Sequence, residues 1–356
     1  MTAPTFTSLS LATDVSAAFP ESVKGKTIVI TGVSPNSLGL ATAFALAAQE
    51  PERLILTGRS ADKVQASIDN LKSSFPGVKY DSLLFDLSSQ ASVRAAAAKL
   101  NDNSDIPEAH ILINNAGVMA IAELTLSDDD IEMSFATNHI GHFLFTNLII
   151  GKLIAASKTS STPTRIINLT SFGHQFSPIR FSDINFTKKP SKLPEEERPD
   201  LQKAEFFYGR NWANDAYAGG FSYAQSKTAN VLFSISLNQK LASQYGITSY
   251  AVHPGAVDTN IGRHSNPEEV LHALNKAKEL GFTDPQKTPE QGANSSVWAA
   301  VNPGLPPPDL SEDVVKGVYV ADCKLPDEGC AEFAKRKVLA ERLWELSETL
   351  VNQKFL

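Results

Sequence analysis

Cysteine, positive charge and long apolar runs are all scarce in this sequence. Its two cysteines, Cys323 and Cys330, are too few for a disulfide framework or a zinc site, so we expect free thiols and no metal. A net charge of −7 argues against a nucleic-acid surface or a polybasic membrane patch. No uninterrupted apolar run approaches the roughly 18 residues of a transmembrane helix.

Residues 1–25 lack the basic start and the long apolar centre of a secretory signal, so we interpret them as a loose extension. These absences favour a cytoplasmic protein that neither binds nucleic acid nor spans a membrane. What the chain does contain, 42% hydrophobic and 20% charged residues over a length of 356, is typical of one large α/β domain with elaborations. Two domains are the less favoured alternative.

Strand and helix patterns alternate over residues 26–117. Short β-branched apolar runs predict buried strands, and the alanine-rich or amphipathic segments between them predict helices. The predicted strands are 26–31, 53–57, 83–85 and 110–113, and the predicted helices are 40–49, 62–75 and 90–100. This alternation predicts a doubly wound parallel sheet with right-handed crossovers, in which Ser60 caps the second helix.

The second half of the chain is less regular. We predict strands at 165–169, 247–252 and 317–320, and helices at 131–153, 221–245, 267–280 and 327–350, with a further helix start at Thr288. Three segments lie outside the sheet pattern. They are an insertion at 172–222, a segment at 259–287 that contains a lid helix, and a C-terminal helical stretch at 324–356.

The first strand runs into a glycine turn, Gly32 to Gly39, and then into a helix. Strand, glycine turn and helix in that order bring backbone N–H groups and a helix N-terminus together, where a pyrophosphate can bind. A glycine pair in a turn is often purely structural, and the flanking strand and helix are what favour a nucleotide site here.

Arg59 follows the second strand, at the point where an NAD-binding fold usually has an acid for the ribose 2′-hydroxyl. The strand end has no acid, and a guanidinium fits a 2′-phosphate in geometry and charge. We therefore expect NADP (NADPH) in preference to NAD. The alternative interpretation is a solvated surface arginine.

Tyr223 and Lys227 are four residues apart on a predicted helix and therefore share one face. A cation held beside a phenol stabilises its anion, so we expect the pKa of Tyr223 to fall from about 10 toward neutrality, where the phenol can exchange protons with a carbonyl or alcohol oxygen. The spacing alone is a common coincidence, so the assignment depends on its surroundings.

The helix at 131–153 carries Asn138 near its centre, where an amide side chain is plausible only with a specific hydrogen-bonding role. On the same helix, His139 and His142 are three apart, with no carboxylate or thiol at metal-ligand spacing. We interpret both as packing or surface histidines.

Aromatic residues are concentrated in the insertion, where ten of the 51 residues at 172–222 are aromatic against 8% in the whole chain. They cluster toward its two ends, while residues 188–199 are charged and proline-rich, which predicts an exposed excursion. The aromatic ends either form a pocket wall for an apolar substrate or pack the insertion onto the domain. We weigh the two equally.

Taken together, these motifs resemble the short-chain dehydrogenase/reductase family, and most closely its retinol-dehydrogenase-like and WW-domain-oxidoreductase-like branch. The resemblance covers residues 26 to about 323. The motifs that carry it are the glycine turn, Asp86, the run 114–117, Asn138, Ser171, Tyr223 with Lys227, the run 253–259 and the run 317–323. It implies a Rossmann-type doubly wound parallel sheet in a single domain, with the long insertion placed before the catalytic helix.

The family resemblance implies a catalytic role for four residues. Tyr223 would be the general acid in reduction and the base in oxidation, and Lys227 would lower its pKa and hold the nicotinamide ribose. Ser171 would hydrogen-bond the substrate oxygen, and Asn138 would keep a water in the proton relay.

The resemblance, together with Arg59, also implies a cofactor site. It would consist of Gly32, Ser34, Ser37, Leu38, Gly39, Arg59, Asp86, Leu87, Asn115, Ala116, Gly117, Tyr223, Lys227, Pro254, Gly255, Val257 and Thr259. Within it Asp86 would meet the adenine, Asn114 the adenosine side, and Thr259 the carboxamide or the phosphates.

The chain departs from the family pattern in two places. Its glycine turn carries one extra residue, and Ser37 stands where the middle glycine is usual. Because a Cβ forbids conformations that glycine takes freely, this serine predicts a lower affinity for the cofactor. Ser171 and Tyr223 are also 52 positions apart, several times the usual family spacing. The insertion must therefore loop out and return, and we expect it to shape the substrate site.

These observations predict an NADPH-dependent carbonyl reductase or alcohol dehydrogenase for a lipophilic ketone, aldehyde or secondary alcohol. The alternatives are a non-redox isomerase or cyclase, and a nucleotide-binding regulatory protein, on the same fold. Homo-oligomers are common in the family, so self-association is a further expectation.

Overall fold

Seven parallel strands form one sheet in the order β3-β2-β1-β4-β5-β6-β7, in a computed structural model that describes residues 4–281, 286–326 and 328–356. The strands are β1 (Thr27–Ile30), β2 (Arg53–Gly58), β3 (Lys79–Leu84), β4 (Ile111–Asn114), β5 (Arg165–Leu169), β6 (Thr248–His253) and β7 (Tyr319–Ala321). The strand order reverses between β1 and β4, which confirms the doubly wound parallel sheet.

Helices cover both faces of the sheet. They are α1 (Ala12–Ala17), α2 (Leu38–Ala47), α3 (Ala61–Ser74), α4 (Gln90–Asn101), α5 (Met133–Phe135), α6 (Gly141–Leu148), α7 (Ile150–Thr159), α8 (Leu201–Tyr208), α9 (Gly219–Tyr245), α10 (Pro267–Glu279), α11 (Pro289–Gly292), α12 (Asn294–Val301) and α13 (Lys337–Leu350). One core lies under α1, α2, α3 and α12, and a second core lies under α4, α6, α9 and α13.

The central strands are buried along their whole length because both faces carry helices. β1, β4 and β5 read as β-branched or leucine-rich runs with every residue buried. Because all seven strands are parallel, their carboxyl ends lie at one edge of the sheet. Thr31, Asn115, Ser171 and Pro254 follow four neighbouring strands there, so the sheet itself gathers the candidate site.

The N-terminal segment is not the loose extension expected from the sequence. Val15 is fully buried, and the hydroxyl of Ser16 donates to the carbonyl of Ala45 over 2.7 Å. The side-chain amide of Asn294 donates to the carbonyls of Thr7 and Ser10, both at 3.1 Å. Apolar and hydrogen-bonding contacts with α2 and α12 therefore dock this segment onto the domain.

The helix predicted at 131–153 is broken. Ser127 closes a turn by accepting from the amide of Asp129, and the helix begins only at Met133, where the carboxylate of Glu132 is the N-cap. One π-helical turn, Ala136–Ile140, interrupts it, and the chain bends at Ile149 before α7. The boundary was misplaced because a carboxylate cap buried in the core has the same sequence appearance as any helical glutamate.

The C-terminal helix also begins later than predicted. It spans Lys337–Leu350, after a 3₁₀ turn at Glu332–Lys335, and the predicted start at residue 327 lies outside the described residues. Residues 328–336 instead follow the domain surface, with Val315 donating its amide to the carbonyl of Lys335. Tertiary pairing thus replaces the local helical bonds there.

Among the described residues, no single helix is long and apolar enough to cross a membrane. One bent pair of segments, Met133–Leu148 with Ile150–Thr159 at 55°, passes that test by length and composition only. In the same described ranges, no group of three or more His, Cys, Asp or Glu side chains is arranged to hold a metal ion.

Candidate active site

The glycine turn after β1 depends on a close backbone approach. Gly32 has φ +74°, and a Cβ built on it would lie 2.6 Å from the Cα of Ala116, in the turn that follows β4. A Cβ on Gly39 would lie 2.6 Å from the carbonyl oxygen of Gly32. Both glycines are therefore required for the turn to close against its neighbours.

Ser37 fits the turn without backbone strain, so the conformational restriction expected from its Cβ does not arise here. Its backbone lies at φ −109° and ψ 157°, an ordinary extended conformation, and its hydroxyl caps α2 by accepting from the amide of Leu40. The same hydroxyl accepts from the amide of Ser34 over 3.2 Å. The left-handed position falls instead on Asn36, at φ 56°, and asparagine tolerates this conformation.

The hydroxyl of Thr31 joins the glycine turn to the turn after β4. It accepts from the amides of Asn115 at 2.9 Å and Ala116 at 3.0 Å. The side-chain amide of Asn115 returns a bond to the carbonyl of Thr31 at 2.7 Å. Asn114, expected on the adenosine side, instead directs its amide into the core, toward Thr146 and Asn168.

Arg59 and Asp86 lie together at the ends of β2 and β3. Their closest atoms, Nη1 and Oδ2, are 3.5 Å apart, and the arginine side chain is 62% exposed. Asp86 also accepts from the amide and the hydroxyl of Ser88. Leu87 lies beside the helix that carries Asn138, because its carbonyl oxygen would be 2.2 Å from a Cβ on Gly141. The guanidinium of Arg59 thus faces Asp86 on one side and solvent on the other.

Asn138 lies inside the π-helical turn and is fully buried. Its amide donates to the hydroxyl of Ser226 and to the carbonyl of Val118, both at 2.9 Å, while its side-chain oxygen accepts from the amide of Val118 at 2.8 Å. π-helical turns are rare and frequent at functional sites. This one fixes Asn138 against both the turn after β4 and the helix α9.

Tyr223, Lys227 and Ser171 meet at the start of α9. The hydroxyls of Tyr223 and Ser171 share a hydrogen bond, and Ser171 also accepts from the amide of Gly173 at 3.1 Å. The ammonium of Lys227 donates to the carbonyl of Leu169 at 3.0 Å. A Cβ on Gly117 would lie 3.5 Å from that ammonium, so the turn after β4 closes the site on its other side. Ser171 and Tyr223, which are 52 positions apart in the sequence, are therefore in contact in the structure.

The expected fall in the tyrosine pKa does not occur in the protein alone. Burial raises the pKa of Tyr223 to about 12, against which the Ser171 hydrogen bond works. Burial also lowers the pKa of Lys227 to about 8. The ammonium lies 5.6 Å from the centroid of the tyrosine ring, and the loss of water around the phenol outweighs its effect on the phenolate.

The loop after β6 is held by Lys287, the last residue of the predicted lid segment. The ammonium of Lys287 donates to the carbonyl of Pro254 at 3.2 Å and to Asp322 at 2.7 Å, and it lies 2.8 Å from where a Cβ on Gly255 would be. Val257 pairs with Lys287 as an isolated parallel bridge. Lys287 was not identified from the sequence, because nothing local links it to a loop about thirty residues earlier.

A second unpredicted contact joins the loop after β6 to the glycine turn. A Cβ on Gly292, in the short helix α11, would lie 2.5 Å from Val257 and 2.8 Å from Leu38. The capping box at Thr288, formed as predicted, sets the start of this helix. Thr259 lies just beyond, before the 3₁₀ turn Asn260–His264. Gly292 therefore lies against both Val257 of the loop after β6 and Leu38 at the start of α2.

Two buried histidines fix the chain beside Ser171. His174 donates from Nδ1 to the carbonyl of Ser171 at 2.6 Å and accepts at Nε2 from the amide of Ala331. His253 accepts at Nδ1 from the amide of Phe172 at 3.2 Å. Burial lowers the pKa of His174 to about 4 and that of His253 to about 3, so both are neutral at pH 7.

Most aromatic residues of the insertion pack against one another. Five of them, Phe176, Phe186, Phe207, Trp212 and Phe221, are at most 7% exposed and form a separate core. The partly buried members packed against this core are Phe172, Tyr208 and Tyr217. Packing of the insertion therefore explains most of the aromatic excess, and this smaller set adjoins Ser171 and the start of α9.

The lid helix α10 packs on α8 of the insertion. Nδ1 of His272 donates to the carbonyl of Phe207 at 2.9 Å, and Arg210 pairs with Glu269 at 3.2 Å. A cavity of about 80 Å³ lies beside this contact, lined by the chain between α8 and α9 (Trp212), by the start of α9 (Gly219) and by Glu269 of α10. The lid and insertion thus form one wall beside the start of α9. Residues 282–285 of the predicted lid segment lie outside the described residues.

The residues present fit a nicotinamide dinucleotide. The turn Gly32–Gly39 leads into the N-terminus of the ten-residue helix α2, where backbone N–H groups can bind a pyrophosphate. Arg59 offers donors at one end of the surface, and Tyr223 and Lys227 lie at the other.

The sequence has relatives that cover most of its length. Residues 26–182 match the sequence model of the short chain dehydrogenase family. Oxidoreductase fscI of Fusarium equiseti is 38% identical, with 70% of this chain and 94% of that protein covered. Retinol dehydrogenase 13 of Homo sapiens is 33% identical, with coverages of 92% and 85%. A solved structure of an uncharacterized protein from Mycobacterium paratuberculosis is 25% identical and covers 98% of this chain and 99% of its own, with a TM-score of 0.63.

Proposed function

We propose that this chain, which belongs to the short-chain dehydrogenase family in its retinol-dehydrogenase-like branch, is an NADPH-dependent carbonyl reductase or alcohol dehydrogenase. Its substrate is a lipophilic ketone, aldehyde or secondary alcohol. One observation carries the proposal: the sheet edge brings Tyr223, Ser171, Lys227 and Asn138 together beside an unstrained glycine turn.

The tyrosine is placed to give a proton to a substrate oxygen. Since burial raises the pKa of Tyr223 to about 12, the phenol is protonated at neutral pH and acts as an acid, which favours the direction of carbonyl reduction. The hydroxyl of Ser171, already bonded to the phenol, orients the same oxygen. A bound nicotinamide supplies the hydride. The protein contributes orientation and proton transfer.

Lys227 and Asn138 hold the proton-transfer group in place. Lys227 is 3% exposed and its ammonium is fixed by the carbonyl of Leu169, so its charge lies at a constant distance from Tyr223. Asn138 bonds Ser226, which donates in turn to the carbonyl of Tyr223 at 2.7 Å. The backbone of the catalytic turn is thereby tied to the helix that carries Asn138.

Arg59 supports NADPH as the cofactor. It lies at the strand end where the 2′-phosphate would be bound, and its exposed donors remain free to reach a second anion beside Asp86. Partly buried aromatic residues around the start of α9 support a lipophilic substrate. The relative named retinol dehydrogenase makes retinal a suitable member of a test panel. Self-association and a cytoplasmic location remain predictions.

Replacing Tyr223 with Phe tests the proposal directly. Purified protein is assayed with NADPH against a panel of retinal, aromatic ketones and cyclic ketones. The variant should lose roughly 100- to 10,000-fold in turnover because it lacks the proton donor, with NADPH affinity within about threefold of wild type. Tyr245→Phe, at the far end of the same helix, is the matched control. Activity that survives in the Tyr223 variant would remove this tyrosine from the mechanism.

Arg59→Asp tests the choice of cofactor. Loss of a charge-assisted bond to phosphate should weaken NADPH binding by at least about tenfold, while NADH binding is unchanged or stronger. Nicotinamide fluorescence measures both dissociation constants on the same sample. Equal loss of NADPH and NADH affinity would contradict a role at the 2′-phosphate.

A further inference from the structure

Two histidines lie three residues apart around the turn that carries Asn138, and both are buried. His139 is 1% exposed and His142 is 2% exposed, so the expectation of packing histidines holds and that of surface histidines does not. Their ring nitrogens bond different elements, His139 the helix α13 and His142 the chain just after β1. This difference assigns them different tasks.

His142 connects the glycine turn to the backbone of Asn138. Its Nδ1 lies 3.1 Å from the carbonyl oxygen of Asn138, and its Nε2 lies 2.8 Å from the hydroxyl oxygen of Thr31. A carbonyl can only accept, so Nδ1 carries the proton. Nε2 is then an acceptor, and the hydroxyl of Thr31 donates to it.

The hydroxyl of Thr31 has two acceptors within reach, Nε2 of His142 at 2.8 Å and the carbonyl of Ile113 at 3.5 Å, and the histidine nitrogen is the closer one. The same hydroxyl already accepts from the amides of Asn115 and Ala116, and one hydroxyl has two lone pairs and one proton. Donation to His142 turns both lone pairs toward those two amides. The position of the turn after β4 therefore depends on the acceptor that the histidine provides.

His139 has the opposite arrangement. Its Nε2 lies 2.8 Å from the hydroxyl oxygen of Ser347 on α13, and that hydroxyl donates to the carbonyl of Leu343. Nε2 must then carry the proton and donate to Ser347. The ring packs between Phe135 and Phe233, away from the glycine turn.

Both rings are neutral at physiological pH. Burial lowers the pKa of His142 to about 4, and the nearby charge of Lys227 lowers it further against the opposing effect of the Asn138 carbonyl. Burial lowers the pKa of His139 to about 3, with the neighbouring His142 as the lesser cause. A neutral imidazole offers one donor and one acceptor, which is what the bridge from Asn138 to Thr31 requires.

We infer that His142, in its Nδ1–H form, is a positioning residue that couples the cofactor turn at Thr31 to the π-helical turn that holds Asn138. The inference rests on the proposed function only for its turnover measurement. The two ends of the bridge serve different steps. The Thr31 end sets the turn that would hold the cofactor, and the Asn138 end sets the proton relay.

Ring tautomers are measured first, in the wild-type protein. Long-range proton–nitrogen spectra of protein labelled with ¹⁵N-histidine should show His142 protonated at Nδ1 and His139 protonated at Nε2 at pH 7, with His142→Asn and His139→Asn used for assignment. A His142 ring that is protonated at Nε2, or charged, would overturn the inference. This measurement needs neither cofactor nor substrate, so it stands even if no carbonyl is reduced.

Two substitutions then separate the ends of the bridge. In His142→Asn the side-chain amide lies where Nδ1 was, so the bond to Asn138 is kept and Thr31 loses its closer acceptor, leaving only the carbonyl of Ile113 at 3.5 Å. In His142→Gln the amide reaches the position of Nε2, so Thr31 keeps a partner and the Asn138 carbonyl loses its donor. The Asn variant should weaken mainly NADPH binding and the Gln variant should lower mainly kcat, each by roughly three- to tenfold.

His139→Asn and His139→Gln are the matched controls, because they change a buried histidine on the same helix whose bonds lead to α13. Both should lower the melting temperature and leave NADPH affinity and kcat within about twofold of wild type. If the two His142 variants also lose only thermal stability, His142 is merely structural and the inference fails. If wild type binds NADPH but reduces nothing in the panel, the proposed function fails, and the tautomers with the NADPH affinity of His142→Asn still decide this one.

Discussion

The glycine turn, residues 32–39, is held by backbone approaches too close for a side chain, whereas the insertion, residues 172–222, is held by aromatic rings and a buried ion pair. The turn admits only glycine at its two contact points. In the insertion, by contrast, any set of large side chains that fills the same volume would serve. Under the proposed function, the rigid turn would hold the cofactor and the more adaptable insertion would shape the substrate site.

The insertion has one feature that tolerates substitution as poorly as the glycine turn, a buried ion pair. Arg180 and Asp183 form an ion pair whose side chains are 1% and 2% exposed, and the guanidinium lies 4.1 Å from the ring centroid of Phe186. The amide of Arg180 donates to the side chain of Gln225 on α9 at 2.9 Å. The root of the insertion is therefore tied directly to the catalytic helix.

The largest effect should come from Arg180→Met. Removing the cation leaves the buried carboxylate of Asp183 without its charge partner, which costs about 3–5 kcal/mol of unfolding free energy. Chemical denaturation measures the loss. The control is Arg210→Met in the same insertion, whose ion pairs involve a side chain 54% exposed and should be worth under about 1 kcal/mol. Equal losses in the two variants would mean that burial of the pair is not what holds the insertion.

Gly32→Ala should have the next largest effect. The substitution combines backbone strain at φ +74° with a contact 2.6 Å from the backbone of Ala116, a total of about 2–4 kcal/mol, and should abolish NADPH binding. Gly246→Ala has nearly the same φ, +66°, with no atom within 4 Å of the new Cβ. It should cost only about 1–2 kcal/mol of strain and leave NADPH binding intact. A Gly32 variant that binds NADPH normally would refute the close-approach account of the turn.

Acid should lower the free energy of unfolding through buried histidines that lie both near the glycine turn and at the root of the insertion. His139 and His142 follow Asn138 in the chain, and His174 and His253 lie at the root of the insertion. Burial lowers all four pKa values to about 3–4. Because the unfolded chain binds protons that the folded chain refuses, stability is complete above about pH 6.5 and falls as pH drops toward 4, by up to about 1.4 kcal/mol per pH unit for each histidine. The buried carboxyl of Glu132 opposes this trend, since burial raises its pKa.

Urea denaturation at pH 7, 6 and 5 measures this loss, with circular dichroism for the domain. Tryptophan fluorescence follows the insertion in a variant that carries Trp298→Phe and Trp344→Phe, because Trp212 is then its only tryptophan. A single transition that weakens with falling pH would show that the two regions unfold together. An earlier fluorescence change would show that the insertion is released first. Stability that stays constant or rises from pH 7 to pH 5 would contradict the assignment of the four rings as buried and neutral.

Local sequence patterns predicted the sheet well because each strand–helix unit repeats the same signal, a short apolar run followed by a helical segment. The β-branched runs of β1, β4 and β5, the cap at Ser60 and the capping box at Thr288 all formed where expected. Patterns failed where a distant group replaced a local one. The cap at Glu132 and the C-terminal stretch before Lys337 are examples, since both are set by tertiary contacts.

The sequence alone determined the fold, the set of candidate residues at strand ends and the order in which they occur, because parallel strands necessarily bring their carboxyl ends to one edge. Only the tertiary structure decided how those residues act. It placed the left-handed position on Asn36 instead of Ser37. It also raised the pKa of Tyr223 where a nearby lysine predicted a fall, because burial removes more stabilisation from the phenolate than a cation 5.6 Å from the ring restores.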